Sequence, residues 1–515
     1  MPLTKILFLA AYTGPEGKKM MWTGPNFGLY RMKFYLERKY PGMVIDVVDP
    51  SIIDPDFKKL DYDLIGFSPC HETLEHDLGL MYKAEKDAPR ALIAAGGIHA
   101  TFIHKWFLEE SPADFVVLGE GEVPMENILK SYDPERGVES LSGIPGVSTR
   151  LAPPPTSPNL TPEEFSFCSR LMDFGRIPYL SHWKANSEQY KNPDLVAVQT
   201  VRLFTGNYCP WNCTFCSSTN FLDFSGRGDF DFSKTTKVVT LTAQELYDLL
   251  IKVAKSRPET KTVIFDDDNF VMSMTRLVDM CRLIIAGKER GEVPNDMTFV
   301  CQARIDNFRS SMAKSTLKLM KQCGFRMIMY GVESLSQPVL AEFYKNTPVP
   351  LIHEVLNDTM REGIRPLFYL ILFSPGTSLQ SVKETVIDAL PYLDRECEVT
   401  LNFYVQDLPG THYAKMDLER SYEELPIVVD GQEIKKIQKS TYLYPADPQV
   451  RAFARRILDQ YPEYRQMFQE RFGIDHIPGR VYTFIIFYAI LEQLECHEEK
   501  QKLMAMFERH YAARV

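Results

Sequence analysis

The feature that most constrains this chain is an alternation of short apolar runs with longer helical stretches, which occurs twice. In the first 130 residues most apolar runs are continuous, with no polar residue at every second position, as in parallel strands that are covered on both faces. This pattern predicts an α/β fold that begins with a doubly wound parallel sheet of the Rossmann type. The predicted strands are Ile6–Tyr12, Val44–Val48, Leu64–Ser68, Ala91–Ala95 and Phe115–Leu118, with helical segments such as Tyr30–Tyr40 and Glu72–Asp87 between them.

Glycine and polar residues stand at the carboxyl ends of these predicted strands, where sheets of this kind bind their ligands. Glycine allows a ligand to approach the backbone closely. Any single glycine here is more simply explained by a tight turn. The segments are Thr13-Gly14, Ser68-Pro69-Cys70, Gly96-Gly97-Ile98-His99 and Gly119-Glu120-Gly121-Glu122.

A second alternation begins near residue 196, after a proline-rich stretch that predicts a linker without a regular ladder. Its helices carry recognisable ends, because Thr242 to Glu245 form a capping box and Gly324 follows the helix Ser315–Cys323. Six β/α units predict a partial TIM-type barrel with its chemistry at the strand carboxyl ends. The strands are expected at 196–205, 262–267, 297–304, 326–331, 366–373 and 398–404. The domains are expected at 1–140 (sheet), 141–190 (linker), 191–415 (barrel) and 416–515 (helix-rich C-terminal domain).

Composition excludes several classes of protein. With 45% hydrophobic and 24% charged residues, the chain of 515 residues is an ordinary packed globular protein and not a disordered one. Its net charge of −10 argues against broad nucleic-acid binding. No run of about 18 apolar residues predicts a membrane span, and Val481–Leu491 is expected to be a buried core helix. Ten cysteines without a secretory context indicate a reducing cytoplasm.

Three of those cysteines form the strongest chemical signal in the chain. Cys209, Cys213 and Cys216 lie within eight residues, directly after a predicted strand. Thiolates favour iron–sulfur clusters, zinc or copper(I) as partners. A structural zinc site needs four close ligands and a [4Fe–4S] cluster normally takes four cysteines, so three cysteines leave one metal position open. An open position is typical of a catalytic metal, and the spacing disfavours three unrelated buried thiols.

This C-x3-C-x2-C spacing, with Phe215 before the last cysteine, resembles the radical S-adenosylmethionine (SAM) superfamily. The resemblance extends over residues 1–415 and identifies the B12-binding-domain-containing, cobalamin-dependent class of radical SAM proteins. One departure is that the chain contains no Asp-x-His-x-x-Gly, the motif whose histidine can coordinate cobalt. In the barrel the similar motifs are Phe265–Phe270, Gln302–Asp306, Gly331–Ser334, Phe373–Gly376 and Leu408–Thr411, and in the first domain they are Asp63–Gly66, Gly96–Thr101 and Asp114–Glu122.

The resemblance implies three cofactors and a residue set for each. Any carboxylate in these sets could instead be a solvated strand end or a helix cap, and Cys70 could be an ordinary buried thiol. The implied ligands of a [4Fe–4S] cluster are Cys209, Cys213 and Cys216. The implied SAM contacts are Asp266, Asp267, Asp268, Arg304, Glu333 and Ser334. The implied cobalamin contacts are Gly97, His99, Gly119, Glu120 and Gly121, with Cys70, His71 and the turn Gly24–Gly28 as further candidates.

The resemblance also implies the activity. The reduced cluster is expected to cleave SAM to a 5′-deoxyadenosyl radical, and the expected outcome is cobalamin-dependent C-methylation of an unactivated carbon under anaerobic conditions. The alternatives are a non-methylating radical SAM cyclase, C–C coupling or rearrangement enzyme, and a non-catalytic iron–sulfur protein. The expected partners are a small-molecule or lipid-like substrate and an electron donor such as flavodoxin or ferredoxin.

Overall fold

The computed structural model of the protein describes residues 3–11, 26–50, 55–152, 160–177, 200–207, 209–218, 221, 238–395, 397–474 and 479–511. These residues form two six-stranded sheets, a two-stranded hairpin, and helices that cover the sheets. The α/β fold class expected from the sequence is confirmed. Thr13 and Gly14, Gly24 and Pro25, and residues 196–199 of the predicted first barrel strand lie outside the described residues.

The first sheet consists of β1 (Lys5–Leu9), β2 (Val44–Val48), β3 (Leu64–Phe67), β4 (Leu92–Ala95), β5 (Phe115–Val117) and β6 (Val147–Thr149). Its order is β2-β1-β3-β4-β5-β6, and all neighbours pair in parallel except β5 and β6. The order reverses direction at β1 and β3, as in doubly wound sheets that bind a ligand at this switch point. The helices around it are α1 (Phe27–Lys39), α2 (Leu74–Asp87), α3 (Gly97–Phe102), α4 (His104–Glu110) and α5 (Glu122–Ser131).

The region 141–190 contains regular structure that its prolines did not predict. Strand β6 extends the first sheet beyond residue 140, and helix α6 (Pro162–Leu171) follows it. Pro162 is compatible with this helix because it stands in the first turn, where its missing N–H has no partner to lose. Thr161 and Glu164 form a capping box at the same end. The expectation that this region holds no ladder was therefore wrong at β6.

The second sheet is the partial barrel, with all strands parallel and neighbours in chain order. Its core includes Phe265, Phe299 and Phe325, whose rings pack at centroid distances of 5.7 and 5.5 Å. The capping box of Thr242 is present, and Gly324 ends its helix with φ of +121°. The elements are β7 (Thr200–Leu203), α7 (Ala243–Ser256), β8 (Thr262–Phe265), α8 (Met274–Glu289), β9 (Thr298–Arg304), α9 (Ala313–Cys323), β10 (Phe325–Glu333), α10 (Gln337–Glu342), α11 (Val349–Arg361), β11 (Arg365–Phe373), α12 (Leu379–Leu393) and β12 (Glu398–Tyr404).

The chain then forms a β-hairpin that the sequence analysis missed, from β13 (Arg420–Val429) and β14 (Gln432–Leu443). Both residues of its turn, Asp430 and Gly431, have positive φ, which is the geometry of a tight two-residue hairpin turn. Leu425, Ile427 and Ile437 of the hairpin pack in the same apolar cluster as α2 of the first sheet.

Three helices complete the described chain: α13 (Pro448–Phe472), α14 (Gly479–Gln493) and α15 (His497–Tyr511). Val481–Leu491 lies within α14, whose apolar side chains are mostly buried, and Thr483 Oγ1 donates to the carbonyl of Val399 in β12 at 3.1 Å. Among the described residues we find no helix with the length and apolar character needed to cross a membrane.

Candidate active site

A cavity of about 790 Å³ lies between the carboxyl edges of the two sheets. Parallel strands bring their carboxyl ends to one edge, so residues distant in sequence meet there. The first sheet contributes Ser68, Gly96, Gly97, Gly119, Glu120 and Gly121. The barrel contributes Cys209, Cys213, Cys216, Asp268, Arg304, Glu333 and Lys345.

The first sheet presents backbone to the cavity at its glycines. Gly97 has φ of +84°, and a Cβ there would lie 3.0 Å from Ser68 Oγ. A Cβ on Gly121 would meet Met32 Sδ at the same distance. Gly119 also has positive φ, and its N–H donates to Thr101 Oγ1 at 3.1 Å. The wall can therefore be approached closely by a large ligand, as a cofactor cradle requires.

The polar side chains of this wall are already paired within the protein. Glu120 accepts from Leu160 N at 2.9 Å and from Arg31 at 3.4 Å, and Arg31 also pairs with Glu122 at 2.5 Å. Burial raises the pKa of Glu120 to about 7. Arg31 could not be identified from the sequence, because its partners Glu120 and Glu122 lie 89 and 91 residues away. Asn26, Phe27 and Gly28 of the predicted early turn also line the cavity.

His99 is not brought to the cavity. Its ring lies 5.5 Å from the ring of His71 and 6.2 Å from that of Phe107, and its Nε2 is buried without a hydrogen-bond partner. Burial lowers the pKa of His99 to about 3. Cys70 also lies away from the lining, where its Sγ is 2.9 Å from Thr73 Oγ1. Among the described residues no histidine lines the cavity.

The three cysteines lie on one loop that neighbouring segments hold from two sides. Thr214 Oγ1 donates to the carbonyl of Glu342 at 3.1 Å, and His412 N donates to the carbonyl of Thr214 at the same distance. Phe215 packs on Phe343 at 5.0 Å. The aromatic residue before the last cysteine therefore anchors the loop in the barrel while the thiols face the cavity.

Two N–H groups are directed at the sulfur atoms. Arg304 Nη1 donates to Cys213 Sγ at 3.0 Å, and Ser218 N donates to Cys216 Sγ at 3.5 Å. Burial raises the pKa of Cys209 to about 12, so the buried thiol needs a metal or another positive charge to become a thiolate. Within the described residues no three His, Cys, Asp or Glu side chains converge on a single ion. Three thiols around one cavity fit a cluster, in which each cysteine binds its own iron.

The three consecutive aspartates after β8 point to different places. Asp266 pairs with Arg202 at 2.7 Å, and Asp267 accepts from Thr205 N and Oγ1 at 2.8 and 2.9 Å. Burial raises the pKa of Asp267 to about 6. Asp268 alone of the three lines the cavity, where it accepts from Ser218 Oγ.

Glu333 and Lys345 form an ion pair in the cavity wall, with 2.9 Å between Oε1 and Nζ. Glu333 has φ of +67° and stands at an irregularity in the pairing of β10 with β11. A non-glycine residue with positive φ is strained and is held only by its surroundings, which is common at functional sites. Lys345 was missed by the sequence analysis. Ser334 is buried against Thr385 at 2.9 Å and does not line the cavity.

Arg304, expected to pair with a SAM carboxylate, is already engaged on three sides. Besides Cys213, it pairs with Asp306 at 2.7 Å, and its guanidinium lies 4.4 Å from the ring centroid of Trp211. Its Nε is buried without a hydrogen-bond partner. The guanidinium therefore holds a fixed positive charge beside the cysteine loop.

Comparison with known proteins agrees with this geometry. The B12 binding domain family matches residues 42–129. An uncharacterized methyltransferase of Pyrococcus horikoshii is 24% identical over 398 residues, which cover 75% of this chain and 78% of that protein. The anaerobic magnesium-protoporphyrin IX monomethyl ester cyclase of Cereibacter sphaeroides is 24% identical over 329 residues. These residues cover 64% of this chain and 49% of the cyclase.

Two solved structures share the fold over most of the chain. The radical SAM methyltransferase TsrM of Kitasatospora setae was solved with cobalamin and a [4Fe–4S] cluster bound. It gives a TM-score of 0.59 at 14% identity, and the match covers 86% of this chain and 88% of TsrM. OxsB, a cobalamin-dependent SAM radical enzyme, was solved with aqua-cobalamin and SAM bound. It gives a TM-score of 0.64 at 14% identity, and the match covers 99% of this chain and 75% of OxsB. The chain therefore contains a segment that matches the B12 binding domain family, and it has the fold of these two solved enzymes.

Proposed function

We propose that this protein is a cobalamin-dependent radical SAM enzyme that methylates an unactivated carbon of a small-molecule substrate. The observation that carries the proposal is the shared cavity, in which the cysteine loop of the barrel faces the glycine-rich edge of the first sheet. Two cofactors that must act on one substrate require such an arrangement, because transfer between them depends on proximity.

When bound, the cluster and SAM supply a 5′-deoxyadenosyl radical, and cobalamin supplies the methyl group. Cys209, Cys213 and Cys216 would hold the cluster, and the N–H groups of Arg304 and Ser218 that contact two of the sulfurs would stabilise their negative charge. The three cysteines leave one coordination position for SAM.

Glu333, Lys345 and Asp268 would bind the charged groups of SAM. Its methionine portion carries one ammonium and one carboxylate, and the cavity offers carboxylates at Glu333 and Asp268 and an ammonium at Lys345. Lys345 already donates to Glu333 and to the Gly331 carbonyl, and an ammonium has three donors, so one remains for a ligand. Gly97, Gly119 and Gly121 would face cobalamin, which would then receive no imidazole from the described residues.

The cyclase relative keeps a second candidate open, in which the same cavity serves a radical reaction without methyl transfer. The two candidates differ in the fate of the methyl group of SAM.

The deciding experiment is anaerobic purification after expression with cobalamin, followed by measurement of iron, sulfide and cobalt per chain. SAM labelled in its methyl group is then added with a reductant and an extract fraction that contains candidate substrates. The proposal expects about four irons, one cobalt, 5′-deoxyadenosine, and label in a product. Label that stays in methionine while 5′-deoxyadenosine forms would favour the cyclase-type reaction. Absence of iron would overturn both candidates.

A further inference from the structure

The barrel wall of the cavity carries charge on only part of its length. In the sheet order β12-β11-β10-β9-β8-β7 the cysteine loop follows β7, and β12 lies at the opposite edge. The charged lining residues of the barrel, Asp268, Arg304, Glu333 and Lys345, all precede β11 in the chain. From β11 onward, the described residues that line the cavity include no charged side chain. We name this part the neutral strip and define it by Tyr369, Ile371, Asn402, Tyr404, Gln406 and Leu408.

Strand pairing brings the members of the neutral strip together. Strands β11 and β12 run in parallel, and Ile371 pairs in register with Asn402. Gln406 follows β12 and forms an isolated β-bridge with Tyr442 of the hairpin. The hairpin therefore holds the chain after β12 at the cavity, so that the strip continues from the sheet into this segment.

The charged groups of the cavity are already paired, whereas the amides of the neutral strip are not. In the part of the chain that the structure describes, the side-chain amides of Asn402 and Gln406 have no hydrogen-bond partner. Asn402 is exposed to the cavity although both of its neighbours in β12 are buried. Each cation of the described lining is paired with a carboxylate: Arg31 with Glu122, Arg304 with Asp306 and Lys345 with Glu333.

Tyr369 adds a hydroxyl group that has only a weak partner. Its Oη donates to Met329 Sδ at 3.6 Å, and a thioether is a weak acceptor. Burial raises the pKa of this phenol above its usual value, so it stays protonated and can donate to a ligand. Ile371 and Tyr404 supply buried carbon surface on the same strip. Beneath Tyr369 the barrel is filled by an apolar cluster of Ile264, Val300, Met327, Met329 and Leu367.

A ligand on the neutral strip would meet hydrogen-bonding groups without charge. An ionised group would lose its water there without gaining a counter-ion, which is unfavourable. An amide or carbonyl group would pair with Asn402 and Gln406, since a side-chain amide both donates and accepts. The strip therefore favours an uncharged ligand over a charged ligand of the same shape.

We propose that the neutral strip is the substrate subsite and selects an uncharged, carbon-rich molecule that carries an amide or related carbonyl group. The polar group would bind Asn402 and Gln406, and the carbon skeleton would lie against Ile371, Tyr404 and Leu408. This inference rests on the proposed function, because it assigns the substrate class of the same cavity. A molecule without the polar group would leave the amides unpaired, which is why such sites discriminate strongly against it.

The test measures binding to the full-length protein after anaerobic loading with iron and cobalamin. S-adenosylhomocysteine is present, so that the cofactor regions of the cavity are filled. The probes are 2-naphthamide and 2-naphthoate, which have nearly the same shape and differ by one negative charge. Equilibrium dialysis followed by chromatography gives a dissociation constant for each probe.

Two variants change the same position of the strip. Asn402→Leu removes the amide and keeps a side chain of similar shape, and Asn402→Lys adds a cation. The matched control is Asn295→Lys, because Asn295 is exposed at the surface and does not line the cavity. Iron and cobalt contents are measured in every protein, and we expect them to be equal.

We expect the unmodified protein to bind 2-naphthamide about tenfold more tightly than 2-naphthoate. Asn402→Leu should bind 2-naphthamide about tenfold more weakly, because a hydrogen bond to the ligand is lost. Asn402→Lys should prefer 2-naphthoate, since its ammonium would pair with the carboxylate. Asn295→Lys should match the unmodified protein with both probes.

Equal affinities for the two probes in the unmodified protein, or no binding of either, would overturn the inference. Unchanged affinity for 2-naphthamide in Asn402→Leu would overturn it as well. In each of these cases normal iron and cobalt contents would leave the proposed function intact. A protein that holds no iron would instead refute the proposed function and, with it, this assignment of the substrate class.

Discussion

The two walls of the cavity are built in opposite ways. The first-sheet wall presents glycine backbone, and its charged groups, Arg31 and Glu120, are satisfied by each other. The barrel wall presents side chains: three thiols, a strained carboxylate at Glu333, and the cations Arg304 and Lys345. Backbone and shape suit a large ligand whose own groups carry the chemistry, whereas charges and thiols suit a centre whose reactivity the protein must tune.

This contrast predicts that damage to one wall removes one cofactor and spares the other. The largest effect is expected at the cysteine loop. Cys213→Ala should reduce iron and sulfide from about four of each per chain to nearly none, because the cluster would keep only two ligands. Cobalt content should change little. The measurement is iron, sulfide and cobalt analysis after anaerobic reconstitution.

The matched control is Cys281→Ala, which removes a buried thiol outside the cavity. It should keep its iron. Full iron content in Cys213→Ala would break the assignment of the cysteine loop.

The first-sheet wall should respond to a single added methyl group. Gly97→Ala places a Cβ 3.0 Å from Ser68 Oγ in a left-handed backbone conformation, and we expect cobalamin binding at least tenfold weaker with iron unchanged. Gly143→Ala is the control, since Gly143 has φ of +80° with open space around it. Both variants should lose roughly 1–2 kcal/mol of stability from backbone strain, but only Gly97→Ala should lose cobalamin. Titration with hydroxocobalamin measures this, and equal affinities would remove Gly97 from the cradle.

Glu333 tests whether SAM binding by the barrel wall can be weakened without loss of the cluster. Glu333→Gln should weaken SAM binding by about tenfold, or about 1.4 kcal/mol, because the carboxylate that we propose to face the ligand ammonium is lost. Iron content should stay the same. Isothermal titration of SAM into the iron-loaded protein measures the change. Glu398→Gln, the same substitution in a pair with Arg365 outside the cavity, should bind SAM normally. Unchanged SAM affinity in Glu333→Gln would exclude this role.

The last prediction concerns pH and the first domain. Burial lowers the pKa of His99 to about 3. Below about pH 6.5 this side chain is therefore protonated in the unfolded chain but still neutral in the folded chain. Stability should therefore fall as pH drops from 6.5 toward 3, by at most about 1.4 kcal/mol per pH unit for this group. His104, whose pKa burial lowers to about 4, acts in the same direction. Glu120, with its raised pKa, opposes both.

Urea unfolding between pH 7 and 4.5 measures this dependence. His99→Gln should lower the slope of the unfolding free energy against pH by the amount that corresponds to about one proton. The contributions of His104 and Glu120 are the same in both proteins, so they cancel in the comparison with the unmodified protein. An unchanged slope would show that another group is responsible.

Much of this architecture could be predicted from the sequence. The strands β2 and β12 have the predicted bounds, and β9 and β11 differ by one residue at one end. Continuous apolar runs are a strong signal because a parallel strand is buried on both faces. The hairpin was missed because its strands are largely polar, yet Asp430-Gly431 is the turn signal that could have indicated it.

The sequence could predict which residues lie near the candidate site, but not which of their side chains point into the cavity. A residue at the end of a strand lies near the ligand edge of the sheet, and Asp268, Glu333 and Gly97 do line the cavity. Whether a side chain then turns inward depends on partners from distant segments, such as Arg202 for Asp266 and Thr205 for Asp267. These pairings depend on the tertiary structure. Lys345 was missed for the same reason, since only the fold brings it beside Glu333.

The hairpin joins the two walls mechanically. At its base Arg420 pairs with Asp407 of the barrel side at 2.8 Å, and near its turn Asp430 pairs with Lys86 of α2 at 2.7 Å. Two half-sites joined only by a flexible linker meet at an effective concentration that falls as the linker lengthens. A hairpin attached at both ends removes that search and fixes the distance between the two walls. Lengthening it by one residue pair on each strand would therefore change that distance without changing either wall.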